Sequence, residues 1–127
     1  MNRLCLGAGL IMAAITVLHT VGGGTDVHQP LLAQVDTAEM RLYVSVLWHF
    51  ATFALATMAA TLLWAAFDFP ARQATAVLCA VLTTGIALLF FGYGITRLGT
   101  IWTAPQWLLF LPAIILIAAA TIRQNAR

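Results

Sequence analysis

Long apolar runs alternate with short polar connections along the chain. Four runs contain no charged residue, and they cover 4–21, 42–67, 74–95 and 101–122. Each is close to or above the ~20 residues that a helix needs to cross ~30 Å of hydrocarbon. The runs lack the alternation of a membrane β-barrel, and a helix pairs its own backbone amides in lipid. The pattern predicts an all-α fold, an integral membrane four-helix bundle with four transmembrane helices in one domain, 1–127.

The connection between the first two runs carries two helix-end signals. Gly22, Gly23 and Gly24 predict that the first helix ends near Val21, because glycine readily adopts left-handed geometry. Asp36 and Glu39 have the spacing of a capping box, which predicts that the second helix begins near Thr37. The segment 22–41 is therefore expected to be an outer loop, and the only sizeable extramembrane segment.

Prolines mark the later connections. Asp68, Phe69 and Pro70 predict a tight turn between the second and third spans, because the residue before proline is pushed away from helical geometry. Thr103 and Gln106 have capping-box spacing, which predicts the start of the fourth helix, and Pro112 is expected to bend that helix.

Composition agrees with a lipid environment. The chain of 127 residues is 62% hydrophobic and only 8% charged, whereas soluble domains carry about 25% charged residues. Its mean hydropathy is +0.96. The six arginines are scattered singly along the chain, so nothing favours nucleic acid as a partner. Cys5 and Cys79 stand inside apolar runs, without metal-binding or redox spacing, and are read as packing residues.

The first span also resembles a secretory signal, with Arg3 before an apolar stretch and glycines near a possible cleavage point. The stretch is long for a signal peptide, so we expect a retained anchor. A mature protein with three spans is the alternative.

Arginine distribution predicts the orientation. Four arginines, Arg3, Arg72, Arg123 and Arg127, fall on one side of the four spans, and Arg41 and Arg97 fall on the other. Arginine is enriched in cytoplasmic segments. Both termini are therefore expected in the cytoplasm, in what we take to be a bacterial inner membrane.

Small and weakly polar residues predict the packing faces, because helices in lipid associate through close packing. On the second span, Ser45, His49, Thr52, Ala56 and Ala59 form such a stripe, and Leu47, Phe50, Ala54, Met58 and Leu62 are expected to meet lipid. Matching stripes are Gly9, Ala13, Thr16 and Thr20 on the first span, and Gly85, Gly92 and Thr96 on the third.

The three histidines all fall in the outer half of the predicted bundle. His49 is the deepest ionisable residue, about 10 Å below the surface if the second span enters lipid near Leu42. An ionisable residue at that depth is a functional hypothesis, and we expect His19 to approach His49. The ordinary alternative is a set of interfacial or hydrogen-bonded histidines with no ligand.

Two cofactors suit these residues. His19, His28, His49 and Asp26 supply the donors of a divalent metal site, although their spacing matches no known metal motif. His19 and His49 on adjacent helices are also candidate axial ligands of a b-type haem. A quinone, a lipid head group or a proton step at His49 are further alternatives.

Five aromatic residues gather near the predicted outer surface, as in an interfacial belt, namely Tyr43, Trp48, Tyr93, Trp102 and Trp107. Tyr93, between Gly92 and Gly94, is the belt residue that we also consider as a cofactor contact, because its small neighbours permit close approach.

The leading functional hypothesis is a small membrane module whose histidine site binds an ion, cofactor or lipid, as a homo-oligomer or within a larger complex. The alternative is a structural accessory subunit of a larger membrane complex. An enzyme ranks third, because the spans lack paired acids, a nucleophile elbow or an HExxH motif.

Overall fold

The computed structural model describes residues 1–67, 70 and 72–125, and this part of the chain is entirely helical outside short connections. Four long helices and one short helix make up the described fold. They are α1 (Arg3–Gly23), α2 (Gln29–Ala33), α3 (Ala38–Phe67), α4 (Arg72–Leu98) and α5 (Trp107–Asn125), and a π-helical segment (Gly24–His28) joins α1 to α2.

The glycine run does not end the first helix, so that prediction is wrong. Helical structure continues through the π-helical segment and α2 to Ala33, and only Gln34–Thr37 separates it from α3. The predicted outer loop 22–41 is therefore largely helical. The predicted start of the second helix is confirmed to within a residue, although the hydroxyl of Thr37, not Asp36, accepts the N–H of Met40 at 3.2 Å.

The four long helices form a closed bundle in which each packs against two neighbours. α1 lies between α3 and α5, and α4 lies between the same two helices on the opposite side. Short-range contacts place Asn2 beside Ala66, and Cys5 with Ala66 and Ala120. The start of α1 and the ends of α3 and α5 therefore meet at one end of the bundle, called here the terminal end. The opposite end, which holds the three histidines, is called the cluster end.

The bundle interior is filled with apolar side chains. Met12, Leu62 and Ile117, from α1, α3 and α5, are fully buried in one cluster. Gly9 lets α1 approach α3 closely, since a Cβ there would come within 2.9 Å of the backbone nitrogen of Leu63. Cys5 and Cys79 are buried free thiols, as expected of packing residues.

On α3, the buried face differs from the predicted stripe. Thr52 is half-buried and Ala59 is buried, but His49 and Ala56 are exposed. Met58 and Leu62, which were assigned to lipid, are 4% and 0% exposed. The true face is displaced by roughly 100°, about one residue, from the predicted one. The core of α3 therefore combines three large apolar side chains with three alanines, namely Leu55, Met58, Ala59, Leu62, Ala65 and Ala66.

The predicted stripe on the first span is right at Gly9 and wrong at Thr20, which is exposed. The stripe on α4 faces outward. A Cβ at Gly85 or Gly92 would meet no atom within 4 Å, and Thr96 is exposed. In α4, the buried positions are instead Arg72, Ala76, Cys79, Thr83, Ala87 and Gly94.

The fourth helix begins later than predicted, at Trp107, so Thr103 does not cap it. Residues 101–106 form bends and a turn, and the first backbone bond of the helix runs from the N–H of Leu108 to the carbonyl of Pro105, at 3.0 Å. Pro112 lies inside α5, and the bend expected there stays a prediction. Of the predicted turn between the second and third spans, Pro70 lies in a turn, and Asp68 and Phe69 lie outside the described residues.

Within the described part of the chain, three helices are long and apolar enough, by length and composition, to cross a membrane. They are the continuous helical stretch Arg3–Ala33, with 31 residues, α3, with 30 residues, and α4, with 27 residues. Large apolar side chains cover their outer surfaces; Phe53, for example, is 71% exposed. The all-α class and the character of a membrane helical bundle are thus supported, whereas the fourth apolar helix, Trp107–Ile122, is shorter.

Asn2 and Arg72 fasten the terminal end. The side-chain oxygen of Asn2 accepts the N–H groups of Leu4 and Cys5. The backbone N–H of Asn2 donates to the carbonyl of Ala66 at 2.7 Å. The buried guanidinium of Arg72 donates to the carbonyls of Ala65 and Ala66, at 2.7 and 3.3 Å. Arginine here caps the end of α3, whose last carbonyls have no partner inside the helix.

Candidate functional site

Trp48 is the centre of a group of aromatic rings at the cluster end. Its indole stacks with the imidazole of His19, with ring centroids 4.1 Å apart and planes 17° from parallel. It also stacks with the imidazole of His28, at 5.0 Å and 7°. The ring of His49 meets the ring of His28 edge to face, at 5.7 Å and 76°. These four residues are called the ring cluster.

Gly23 provides the space for the indole. A Cβ at this position would come within 2.9 Å of the Cη2 atom of Trp48 and within 3.2 Å of its Cζ2 atom. Such distances are shorter than normal van der Waals contact between carbon atoms. Trp48 therefore packs on the backbone of the first helical stretch, between the levels of His19 and His28.

The π-helical segment decides which side chain follows Gly23 on this face. Neighbours on one face of an α-helix are three or four residues apart, and Gly23 follows His19 by four residues. The next position at that spacing is Val27, yet the residue stacked on Trp48 is His28. The N–H of Gln29 bonds to the carbonyl of Gly24, five residues back, and this wider turn holds the additional residue.

The imidazole nitrogens have different surroundings. The Nε2 atom of His19 lies 3.4 Å from the carbonyl oxygen of Trp48. The Nε2 atom of His28 is buried and has no hydrogen-bond partner. His49 is exposed. One buried nitrogen without a partner, beside a second and accessible imidazole, is an arrangement that needs an explanation, because unpaired buried polar atoms are costly.

The structure brings His19, His28 and His49 into one group, but the two imidazoles in direct contact are those of His28 and His49. His49 contacts His28, and no hydrogen bond or ring contact joins His49 to His19 within the described part of the chain. The predicted approach of His19 to His49 stays a prediction. Trp48 stacks with both His19 and His28.

Asp26 does not belong to a preformed metal shell with the histidines. Its carboxylate accepts the hydroxyl of Thr25 at 3.1 Å, and the side chain is exposed. Over residues 1–67, 70 and 72–125, no group of three or more His, Cys, Asp or Glu side chains has an arrangement that could hold a metal ion. The four-residue metal site thus gains no support, and a b-type haem between His19 and His49 stays a prediction.

Tyr93 lies away from the ring cluster. Its side chain is 59% exposed on α4, where it lines a shallow open groove with Leu88, Leu89, Gly92 and Thr96. The groove is apolar apart from the hydroxyls of Tyr93 and Thr96, and the Thr96 hydroxyl donates to the carbonyl of Gly92 at 2.9 Å. Tyr93 is therefore placed on an outer surface and not with the histidines.

Comparisons with protein-family models, with curated proteins and with solved structures give no match. The geometry of the chain itself therefore carries the functional argument.

Sequence reasoning missed the central residue of the site. Trp48 was assigned to the interfacial belt, and Gly23 was read only as a helix stop. Two signals were present: the spacing of four between His19 and Gly23, and Pro30 shortly after a glycine run. A proline within a helix favours an irregular turn ahead of it, and that turn is what carries His28 to the indole.

Proposed function

We propose that the chain is an integral membrane module with four spans, and that its ring cluster binds a divalent transition-metal ion through His28 and His49. The observation that carries the proposal is the unpartnered, buried Nε2 atom of His28 next to the exposed imidazole of His49. Neutral imidazole is the commonest protein ligand of such ions, and it suits zinc, copper and nickel.

Two imidazoles leave coordination positions for water or for another ligand. Metal sites with open positions are those that exchange ions or act on substrates, whereas structural sites have closed shells. A site of this kind therefore fits a module that takes up and releases an ion, and the spans offer no further group that would name a reaction.

The packing of α5 supports its assignment as the fourth span. It lies between α1 and α4 in the same bundle and buries Phe110, Ala113 and Ile117. Its opposite side is apolar and open, with Ile115 at 65% and Ile122 at 69% exposure. The apolar part of α5, Trp107–Ile122, is about 24 Å long, shorter than the hydrocarbon thickness of ~30 Å, and the uncharged residues 101–106 before it extend the apolar run.

The lengths of the other helices support an interfacial position for the ring cluster. If hydrocarbon begins near Phe67 at the terminal end, His49 lies about 27 Å away along α3, near the opposite boundary. His19 is about 24 Å from Arg3 along α1 by the same measure. Ions in water can reach side chains at that level. Arginine counting further supports both termini in the cytoplasm, with the cluster end outside.

Metal content and visible absorption of the purified protein test the proposal. Detergent-purified protein is incubated with Zn²⁺, Ni²⁺ or Cu²⁺, desalted and analysed for bound metal. We expect stoichiometric metal in the wild type and its loss in His28→Gln and His49→Gln. His19→Gln is the matched control, since His19 makes its contacts with Trp48 and none with His49.

Each result has a defined meaning. Metal retained by His49→Gln, or absent from the wild type, would overturn ion binding at this pair. A haem absorption band in the protein as isolated would instead favour the cofactor hypothesis.

The accessory-subunit hypothesis has support from a different surface. The groove on α4 is flanked by Leu88 and Leu89, which are 63% and 59% exposed. Small residues on an outward face favour helix association in lipid. Co-purification of a defined membrane complex that is lost in Gly92→Leu, with the metal content unchanged, would favour this second function.

A further inference from the structure

We propose that residues 24–28 are a register switch, in which conversion of the π turn to an α-helix removes His28 from Trp48 and places Val27 there. Which residue contacts Trp48 in each register does not depend on ion binding. The effect of the switch on the ion site rests on the proposed function, because His28 reaches that site only in the π register.

The geometry of the first helical stretch gives the two registers. In the present structure the residues that meet Trp48 are His19, Gly23 and His28. In a continuous α-helix the position four residues after Gly23 belongs to Val27. The π turn contains one additional residue, so the position that faces the indole shifts by one along the chain, from Val27 to His28.

Pro30 gives a physical reason for the π turn at this point. A proline ring clashes with the carbonyl four residues earlier, which is that of Asp26, and proline has no N–H to donate. A wider turn directly before the proline relieves this contact. The π-helical segment ends at His28, and Pro30 lies in the first turn of α2.

Apart from the contact of Pro30 with the carbonyl of Asp26, the surroundings have room for the alternative register. Val27 is 47% exposed and belongs to neither buried cluster of the described residues, so its movement leaves no core position empty. A Cβ at Gly24 would meet no atom within 4 Å, so the turn has room to change. The unpartnered Nε2 atom of His28 would become available to water, which offsets the loss of its stacking contact. An ion held by His28 and His49 would favour the π register, because a ligand shifts a population towards the state that binds it better.

Replacing Pro30 by Ala removes the clash and is expected to shift the segment to the α register. The readout is the nuclear Overhauser contacts of the Trp48 indole in detergent-solubilised protein. We expect contacts from the ring of His28 in the wild type, and contacts from the methyl groups of Val27 in Pro30→Ala. Pro112→Ala is the matched control, because it removes a helix-interior proline from α5 and should leave the contacts of His28 unchanged.

A second variant tests the register directly. Deleting Gly24 in the Pro30→Ala background shortens the segment by one residue, so a plain α-helix carries His28 to the indole. We expect the contacts of His28 to return in this double variant, and it decides the proposal even if Pro30→Ala alone does not fold. Contacts of His28 that persist in Pro30→Ala, or of Val27 in the folded double variant, would overturn the switch.

Metal analysis of the same variants separates this proposal from the proposed function. Loss of metal in Pro30→Ala with recovery in the double variant supports both. If the ring contacts exchange as expected and no variant binds metal, the switch stands and ion binding fails.

Discussion

The indole of Trp48 rests on Gly23, where an added Cβ would lie 2.9 Å from its Cη2 atom. This contact fixes the indole between two imidazoles, so it should be the most sensitive point of the ring cluster to a small change in volume.

Gly23→Ala should therefore displace Trp48 and reduce its stacking with His19 and His28. Gly22→Ala is the matched control, because a Cβ there meets no atom within 4 Å. Both changes raise helix propensity by about 1 kcal/mol, so their difference isolates the contact with Trp48. We expect Gly23→Ala to be less stable than Gly22→Ala by about 1–3 kcal/mol, the usual range for overpacking. Thermal unfolding in detergent measures this difference, and equal stabilities would contradict the close packing.

Arg72→Met should destabilise the bundle by leaving the carbonyl of Ala65 without its donor, whereas the carbonyl of Ala66 keeps the backbone N–H of Asn2. The expected loss is about 1–3 kcal/mol, as for buried polar groups that lose a partner. Arg97→Met is the control, because Arg97 is an exposed arginine in the last turn of α4. Chemical unfolding followed by circular dichroism compares the two, and a larger effect at Arg97 would argue against the cap.

Gly9→Ala should weaken the packing of α1 on α3, since the added Cβ would lie 2.9 Å from the backbone nitrogen of Leu63, which cannot move independently. Gly85→Ala adds the same group to an open surface. We expect the first variant to unfold about 1–3 kcal/mol more easily than the second. This comparison also tests whether α1 is a permanent member of the bundle, since a cleaved first span would make Gly9→Ala silent.

The proposed four-span topology predicts opposite labelling of two cysteines. Asp26→Cys and Gln124→Cys, each made after Cys5 and Cys79 are replaced by Ala, should react with a membrane-impermeant maleimide on opposite sides of the membrane. In intact cells we expect Asp26→Cys alone to be labelled. Labelling of both positions in intact cells would place them on the same side and contradict a fourth span.

The sequence was sufficient for the helical class, because long uncharged runs determine which segments can exist in lipid. It was not sufficient to predict which face of α3 is buried. Two rotations of this helix, which differ by about one residue, as between Trp48 and His49, each bury a plausible stripe. Leu55 and Leu62 are buried in a cluster with residues of α1 and α4, and this packing between helices, which the sequence of one helix does not reveal, sets the rotation of α3. The π turn was hidden for a similar reason, because its effect is visible only when Trp48 from another helix is in place.

Cys5 and Ala120 belong to one buried cluster, together with Ala66, which joins α1 to α5 at the terminal end. More than one hundred residues separate Cys5 from Ala120, so the bundle cannot close during synthesis until α5 has left the ribosome. Until then α1 and α4 each leave one side without its eventual neighbour in the bundle. Contacts between distant parts of a chain form slowly, so we expect closure of this helix pair to be the slowest step of bundle assembly and the one most open to capture by a chaperone or a protease.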